Sequence, residues 1–301
     1  MRRRLPTSPL TQGSSGPPIL SHAGPLLVRY EVIFCDVWGV VHNGVTAFEG
    51  ACRALEKFRA GGGTVILVSN APVPKRRVAD MLESRHVPQS AWDDIVSSGD
   101  IALAHVDERG FERLFCVGPK DRDQALFSAL RGRSVSLSEA EAIICTGLND
   151  ERRETPGDYS GLLQEAHSRR LPFVCANPDL VVDVGGTLLY CAGAIADLYV
   201  KMGGPVYWAG KPYPNAYGTA HWKAEGLRNA KVEREKILVI GDALRTDLKG
   251  AENFGCDALF IASGIHRHET LHGIDLSIEK LSDLFGPDAP PALAAMVELA
   301  W

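Results

Sequence analysis

The segment Val32-Ile33-Phe34-Cys35-Asp36 limits the folds open to this chain more than any other stretch. Four apolar residues, rich in β-branched and aromatic types, run straight into an aspartate. That is the pattern of a strand buried on both faces of a parallel sheet and ending at a polar site. In an open α/β sheet ligands bind beyond the carboxyl ends of the strands, where loops and helix N-termini converge. Asp36 is expected at such an end; taken alone, it could equally be a strand-end turn or a helix-capping residue. Gly39 loosens the backbone after it, and Asn43-Gly44 between Val41 and Val45 predicts a tight hairpin, a small flap over Asp36.

The same pattern recurs three times. Residues 64–68 end in Ser69-Asn70, Val206-Tyr207-Trp208 leads into Gly210-Lys211-Pro212, and residues 236–240 run into Gly241-Asp242-Ala243-Leu244-Arg245-Thr246-Asp247, after which a helix is expected. Residues 48–60, apolar at Ala51, Leu55 and Phe58 and stopped by Gly61-Gly62-Gly63, predict the helix that joins the first two strands. Those glycines precede a strand, whereas a dinucleotide-binding loop follows one. A short helix within 19–28, helices over 74–85 and 192–202, a strand over 258–262 and a helical tail over 270–301 complete the outer segments. Residues 86–189 alternate strands (114–117, 142–145, 173–175) with helices, one starting at Thr155-Pro156. The expected organisation is a disordered tail over 1–18, a core over 19–85 and 190–301, and an inserted domain over 86–189. The expected fold class is α/β, a Rossmann-like parallel-sheet core with an inserted α/β cap domain.

Composition excludes several function classes. Lys and Arg number 32 against 37 Asp and Glu, and no basic run is longer than three residues, as in Arg2-Arg3-Arg4, so nothing asks for nucleic acid. No apolar run approaches the roughly 20 residues of a membrane span, and residues 5–18 offer no continuous apolar stretch for a signal peptide. The seven cysteines are odd in number, scattered and mostly set in apolar runs, as in a reduced protein. A soluble, cytoplasmic protein is expected, with a homodimer left open.

If the four strands share one sheet, Asp36, Ser69, Lys211, Asp242 and Asp247 meet at one edge. A carboxylate attacking phosphorus needs a cation to relieve repulsion between two anions, and donors for the non-bridging oxygens. Ser69 and Lys211 are such donors, and two carboxylates five residues apart on a loop can address one hard cation.

This set, with Val68-Ser69-Asn70, Gly210-Lys211-Pro212 and Gly241-Asp242…Asp247, resembles the four motifs of the haloacid dehalogenase superfamily, in particular its subclass IIA of sugar, nucleotide, pyridoxal and nitrophenyl phosphatases. The similarity covers residues 28–265. It implies a magnesium-dependent hydrolase acting on a small phosphorylated metabolite through an aspartyl-phosphate intermediate. Asp36 would be nucleophile and metal ligand, Ser69 and Lys211 catalytic phosphate binders, and Asn70 a contact to phosphate or cap. Asp242, Asp247 and the Trp38 backbone carbonyl would hold Mg2+. Asn177 and Asp179 are candidate substrate contacts from the cap.

One position departs from the family. Its hydrolases usually carry a second aspartate two residues after the nucleophile, as general acid and base; here that residue is Trp38. Indole does not exchange protons usefully near neutral pH. His42, at the flap, is the candidate surrogate acid. Three readings stay open: a phosphatase helped by His42 or a good leaving group, a different transfer such as carbon–phosphorus cleavage, and a catalytically weak module that binds a phosphorylated ligand.

Overall fold

The computed structural model describes residues 16–184 and 186–301. Two parallel sheets dominate it. The larger runs, in spatial order, Ala294–Met296, Asp257–Ile261, Ile237–Gly241, Val32–Cys35, Thr64–Ser69 and Asp94–Ser97, with every neighbouring pair parallel. Its central strands are apolar throughout because both faces are covered. Val32, Phe34, Ile66 and Val239 pack to one side with Ala216 and Tyr217 of the helix Pro214–Arg228. Ile33, Cys35, Leu67 and Ile240 pack to the other with Ala51, Leu55 and Phe58 of the helix Glu49–Ala60. Period-two alternation here sorts apolar residues between two cores.

The smaller sheet runs Val206–Trp208, Phe173–Cys175, Ala142–Cys145, Arg113–Val117 and Arg133–Ser134, again parallel. One face (Leu114, Ile144, Val174) joins the apolar cluster that contains Phe34 and Val96. The other (Ile143, Cys145, Phe173, Cys175) packs with Leu163, Ile195 and Tyr199. A separate antiparallel hairpin, Val181–Val184 with Thr187–Tyr190, projects from this part of the chain.

Sheet membership departs from the expected segments in three places. Val206–Trp208, which leads to Lys211, pairs with Phe173–Cys175 in the smaller sheet, so the four site-bearing strands do not share one sheet. Asp94–Ser97, inside the segment read as inserted, lies at the edge of the larger sheet beside Thr64–Ser69. The expected helical tail contains only the short helix Ile278–Leu284 beyond residue 270; Ala294–Met296 then adds an edge strand against Asp257–Ile261. Pro290 and Pro291 stop any helix before that strand. Of the expected tail, residues 1–15 lie outside the described residues. Residues 16–18 are tied down, the Pro18 carbonyl accepting from the Ala295 N–H at 2.9 Å. No helix among the described residues is long and apolar enough to cross a membrane.

Candidate active site

Asp36 stands one residue past its strand, its N–H donating to the Ile240 carbonyl at 2.8 Å. Asp242 stands one residue past the neighbouring strand Ile237–Gly241. Adjacent strand ends thus bring two carboxylates together. Asp247 is turned back toward them by a single π-type turn, Leu244–Leu248, a widened helix common at functional sites. Its N–H donates to the Ala243 carbonyl at 3.0 Å, and its Oδ2 accepts from the Ala243 N–H at 3.2 Å. One oxygen from each of the three carboxylates lies within 4.8 Å of the others.

Lys211 enters from the loop after Val206–Trp208. Its buried Nζ donates to Asp247 Oδ1 at 2.7 Å and to Asp36 Oδ1. Asn70 fixes that loop: its amide oxygen accepts from the Lys211 N–H at 2.8 Å, and its amide nitrogen donates to the Lys211 carbonyl at 3.2 Å. The same amide nitrogen donates to Asp179 Oδ1 at 2.9 Å, and Ser98 Oγ donates to the Asn70 amide oxygen at 3.2 Å. Ser69 Oγ accepts from the Ala71 N–H at 3.2 Å, which leaves its own O–H available to a ligand. Asn177 accepts from the Asp179 N–H at 3.1 Å, shaping the turn that aims Asp179.

Charge in this site is unbalanced. Three carboxylates face one ammonium, and Asp242 and Asp247 are buried. Burial pushes the Asp36 carboxyl up to about 7, opposed by Lys211 and reinforced by Asp247. Burial, then the Asp36 and Asp247 charges, push Asp242 well above the usual carboxylate range. Burial works against the Lys211 ammonium, but Asp247 and Asp36 outweigh it and hold the lysine charged. Gly39, at φ +83°, and Gly264 press against Asp242; a Cβ on either would collide with its Oδ2. An all-oxygen set with excess negative charge in a tight cradle fits a hard divalent cation. The Trp38 carbonyl accepts no backbone hydrogen bond among the described residues.

A cavity of about 1090 Å³ joins these groups: Asp36, Trp38, Ser69, Asn70, Asn177, Asp179, Lys211, Asp242 and Asp247 all line it. His42 is not among its lining residues. The imidazole is 2 % exposed, its Nδ1 accepts from the Gly44 N–H at 2.9 Å, and its ring stands edge-on to Trp38 at 5.3 Å between centroids. Burial, with the Arg85 charge adding, lowers its pKa to about 4. The imidazole is therefore held neutral near pH 7 and stands outside the lining of the cleft, where a surrogate acid was expected. The flap also differs from a two-residue hairpin: His42 bridges Ala47, and Asn43 Oδ1 accepts from the Val45 and Thr46 N–H groups.

Comparison with known proteins bears on what this arrangement is. The haloacid dehalogenase-like hydrolase pattern matches residues 33–129, and a HAD-hydrolase-like pattern matches residues 208–284. The crystal structure of a haloacid dehalogenase-like hydrolase from Brucella suis 1330 is 41 % identical, covers 93 % of this chain and 100 % of its own, and superposes with a TM-score of 0.82. The chain belongs to the haloacid dehalogenase-like hydrolase family. More distant similarity extends to an acid sugar phosphatase of Staphylococcus epidermidis, 21 % identical over 254 residues, 82 % of this chain and 92 % of that protein. The fold of a 4-nitrophenylphosphatase from Thermotoga maritima is similar too, with a TM-score of 0.65 at 20 % identity over 90 % of this chain and 95 % of that one.

Two residues that support the cleft from outside its lining, and one hairpin that lines it, escaped the sequence reading. Arg245 donates to the Pro178 carbonyl at 3.2 Å and pairs with both oxygens of Asp197. Ser98 supports Asn70 from the start of the helix Ser98–Arg109. The hairpin Val181–Val184/Thr187–Tyr190 lines the cleft, and Trp38 Nε1 donates to its Asp183 carbonyl at 3.2 Å. Gly185-Gly186 between two β-rich runs was a readable hairpin signal. The partners of Arg245 and Ser98 are set by tertiary packing and carry no local signal.

Proposed function

We propose that this hydrolase removes phosphate from a small phosphorylated metabolite, with Asp36 as nucleophile. The observation that carries the reading is the contact of Lys211 with Asp36 and Asp247 beside Asp242 at the carboxyl ends of adjacent strands. Lys211 screens the carboxylate from an incoming anion and grips a non-bridging oxygen. Ser69 donates a second hydrogen bond to the phosphoryl group. Asp36 Oδ forms a bond to phosphorus as the ester P–O bond breaks, and water then cleaves the aspartyl phosphate. A Mg2+ ion held by Asp36, Asp242 and the Trp38 carbonyl, with Asp247 in support, would neutralise phosphoryl charge. The strands 113–117, 142–145, 173–175 and 206–208, with the hairpin, serve as the cap that closes over the ester. The sugar phosphatase among the relatives supports a phosphorylated metabolite as substrate.

The experiment is phosphate release from a panel of metabolite phosphates with Mg2+, repeated with Asp36→Asn. Turnover by the native chain and its loss in the variant are expected. Undiminished turnover in Asp36→Asn would remove the covalent mechanism. A second reading, a module that binds a phosphorylated ligand, draws on Trp38 in place of the proton-transferring aspartate. It is the outcome if ligands bind and no ester turns over.

A further inference from the structure

We infer that Asp179 is the general acid and base of this hydrolase, in the role usually filled by an aspartate at the Trp38 position; this rests on the phosphatase reading above. Two observations carry it. The first is how the carboxyl is held. Asp179 lines the cleft at the turn that follows the strand Phe173–Cys175. Its N–H donates to Asn177 Oδ1 at 3.1 Å, its carbonyl accepts from the Gly193 N–H at 3.1 Å, and the preceding Pro178 carbonyl accepts from Arg245 at 3.2 Å. The Asn70 amide donates to Oδ1 at 2.9 Å, and no group among the described residues engages Oδ2. The same amide group fixes the loop of Lys211, whose ammonium reaches Asp36, so Asp179 is tied to the nucleophile's own partner. A donor on Oδ1 keeps that oxygen the carbonyl of a neutral carboxyl, which puts the proton on the free Oδ2. Burial raises the Asp179 carboxyl above the ordinary aspartate range, against the pull of Lys211 and the Asn70 amide, with Asp247 adding to the rise and Arg245 opposing it.

The second observation is the tether made by the substituted residue. Trp38 Nε1 donates to the Asp183 carbonyl at 3.2 Å, on the segment that follows Asp179. The indole that stands in place of the family's acid therefore anchors to the core the stretch that carries its replacement. Asp123 and Glu151 also line the cleft, but both are paired with Arg122. As the bond from Asp36 Oδ to phosphorus forms and the ester P–O bond breaks, Asp179 Oδ2–H protonates the leaving oxygen, which departs as the alcohol. The Asp179 carboxylate then takes a proton from the water whose oxygen attacks the aspartyl phosphate. The electron pair of that P–O bond returns to Asp36, inorganic phosphate leaves, and Asp179 is again protonated.

The test measures kcat/KM of the full chain with Mg2+ on two esters of similar size, in the native protein and in Asp179→Asn. 4-Nitrophenyl phosphate has a leaving group that needs no proton; benzyl phosphate has one that does. The isosteric amide keeps an oxygen for the Asn70 donor, and a thermal melt checks the fold. The native chain should turn over the two esters within about a hundredfold of each other, the scale on which a general acid acts. Asp179→Asn should lose roughly 10²–10⁴-fold on benzyl phosphate and less than about tenfold on 4-nitrophenyl phosphate. A wider native gap in favour of 4-nitrophenyl phosphate, which needs no variant to be seen, would overturn the inference while leaving a phosphatase. So would a loss on benzyl phosphate in Asp179→Asn no greater than the loss on 4-nitrophenyl phosphate. No magnesium-dependent release from any ester would overturn the phosphatase reading itself.

Discussion

Lys211 Nζ lies 2.7 Å from Asp247 Oδ1, with the two side chains 3 % and 1 % exposed. This interior ion pair ties the loop that carries Lys211 to the π-type turn that carries Asp247. Its ammonium is the counter-charge within hydrogen-bonding reach of Asp36 and Asp247.

Lys211→Met should abolish phosphate release. It should also lower stability in EDTA by about 3–5 kcal/mol, the usual cost of stranding one member of a buried pair. Added Mg2+ should recover part of that loss, because a bound cation replaces the missing charge. Denaturant melts in EDTA and in Mg2+, with circular dichroism to confirm the fold, measure both. An unchanged midpoint in EDTA would show that the carboxylates protonate instead.

Asp242→Asn should behave in the opposite way. The native carboxylate is pushed well up by burial and by Asp36 and Asp247, and an amide oxygen can still accept the Ile265 N–H that now reaches Asp242 Oδ2 at 2.7 Å. The variant should be at least as stable as the native chain in EDTA, yet gain nothing from Mg2+. The native chain should gain about 2.7 kcal/mol at a hundredfold excess over Kd. Thermal melts across a Mg2+ titration decide it, and equal stabilisation of both proteins would place the metal elsewhere.

His42 gives a signed pH dependence. Its folded pKa lies near 4, below the ordinary 6.5 of an unfolded chain. Between those values the unfolded state binds a proton that the folded state refuses. The His42 contribution is therefore fully present above about pH 6.5 and is lost as pH falls toward 4, up to about 3 kcal/mol. His42→Gln should flatten that part of the stability profile and leave the pH–rate profile of phosphate release in place. A vanished acidic limb in kcat/KM would restore His42 as a proton donor.

Trp38→Asp places a carboxyl group where the family usually carries one. Alkyl phosphate hydrolysis should rise by some part of the roughly 10²–10⁴ that general acid–base catalysis contributes, and aryl esters should gain less. The indole packs over Gly44, where even a Cβ would clash with it. Since Trp38 is only partly buried, the stability loss should be smaller than the roughly 3–5 kcal/mol of a fully buried aromatic. A folded, magnesium-binding variant with no gain on any alkyl ester would show that Trp38 does not merely stand for a missing acid.

The sequence by itself determined the fold class and the polar residues at the strand ends. A strand covered on both faces must be apolar along its buried length, so the runs 32–35, 65–68 and 237–240 were legible without any partner. The spacing of Asp242 and Asp247 was equally local, though not the π-type turn between them. Only the tertiary structure decided which sheet each strand entered. Val206–Trp208 joins the smaller sheet and Asp94–Ser97, within the segment read as inserted, joins the larger, because a short run carries no record of its hydrogen-bonding neighbour. It also decided the fate of His42. A histidine six residues past Asp36 reads as a candidate proton donor; packing buries its ring, makes Nδ1 the acceptor of the Gly44 N–H and sets it against Trp38. The tie from Trp38 to Asp183 spans 145 positions in sequence. Such a contact exists only once both elements are folded, because its energy depends on a neighbour that the local sequence does not contain.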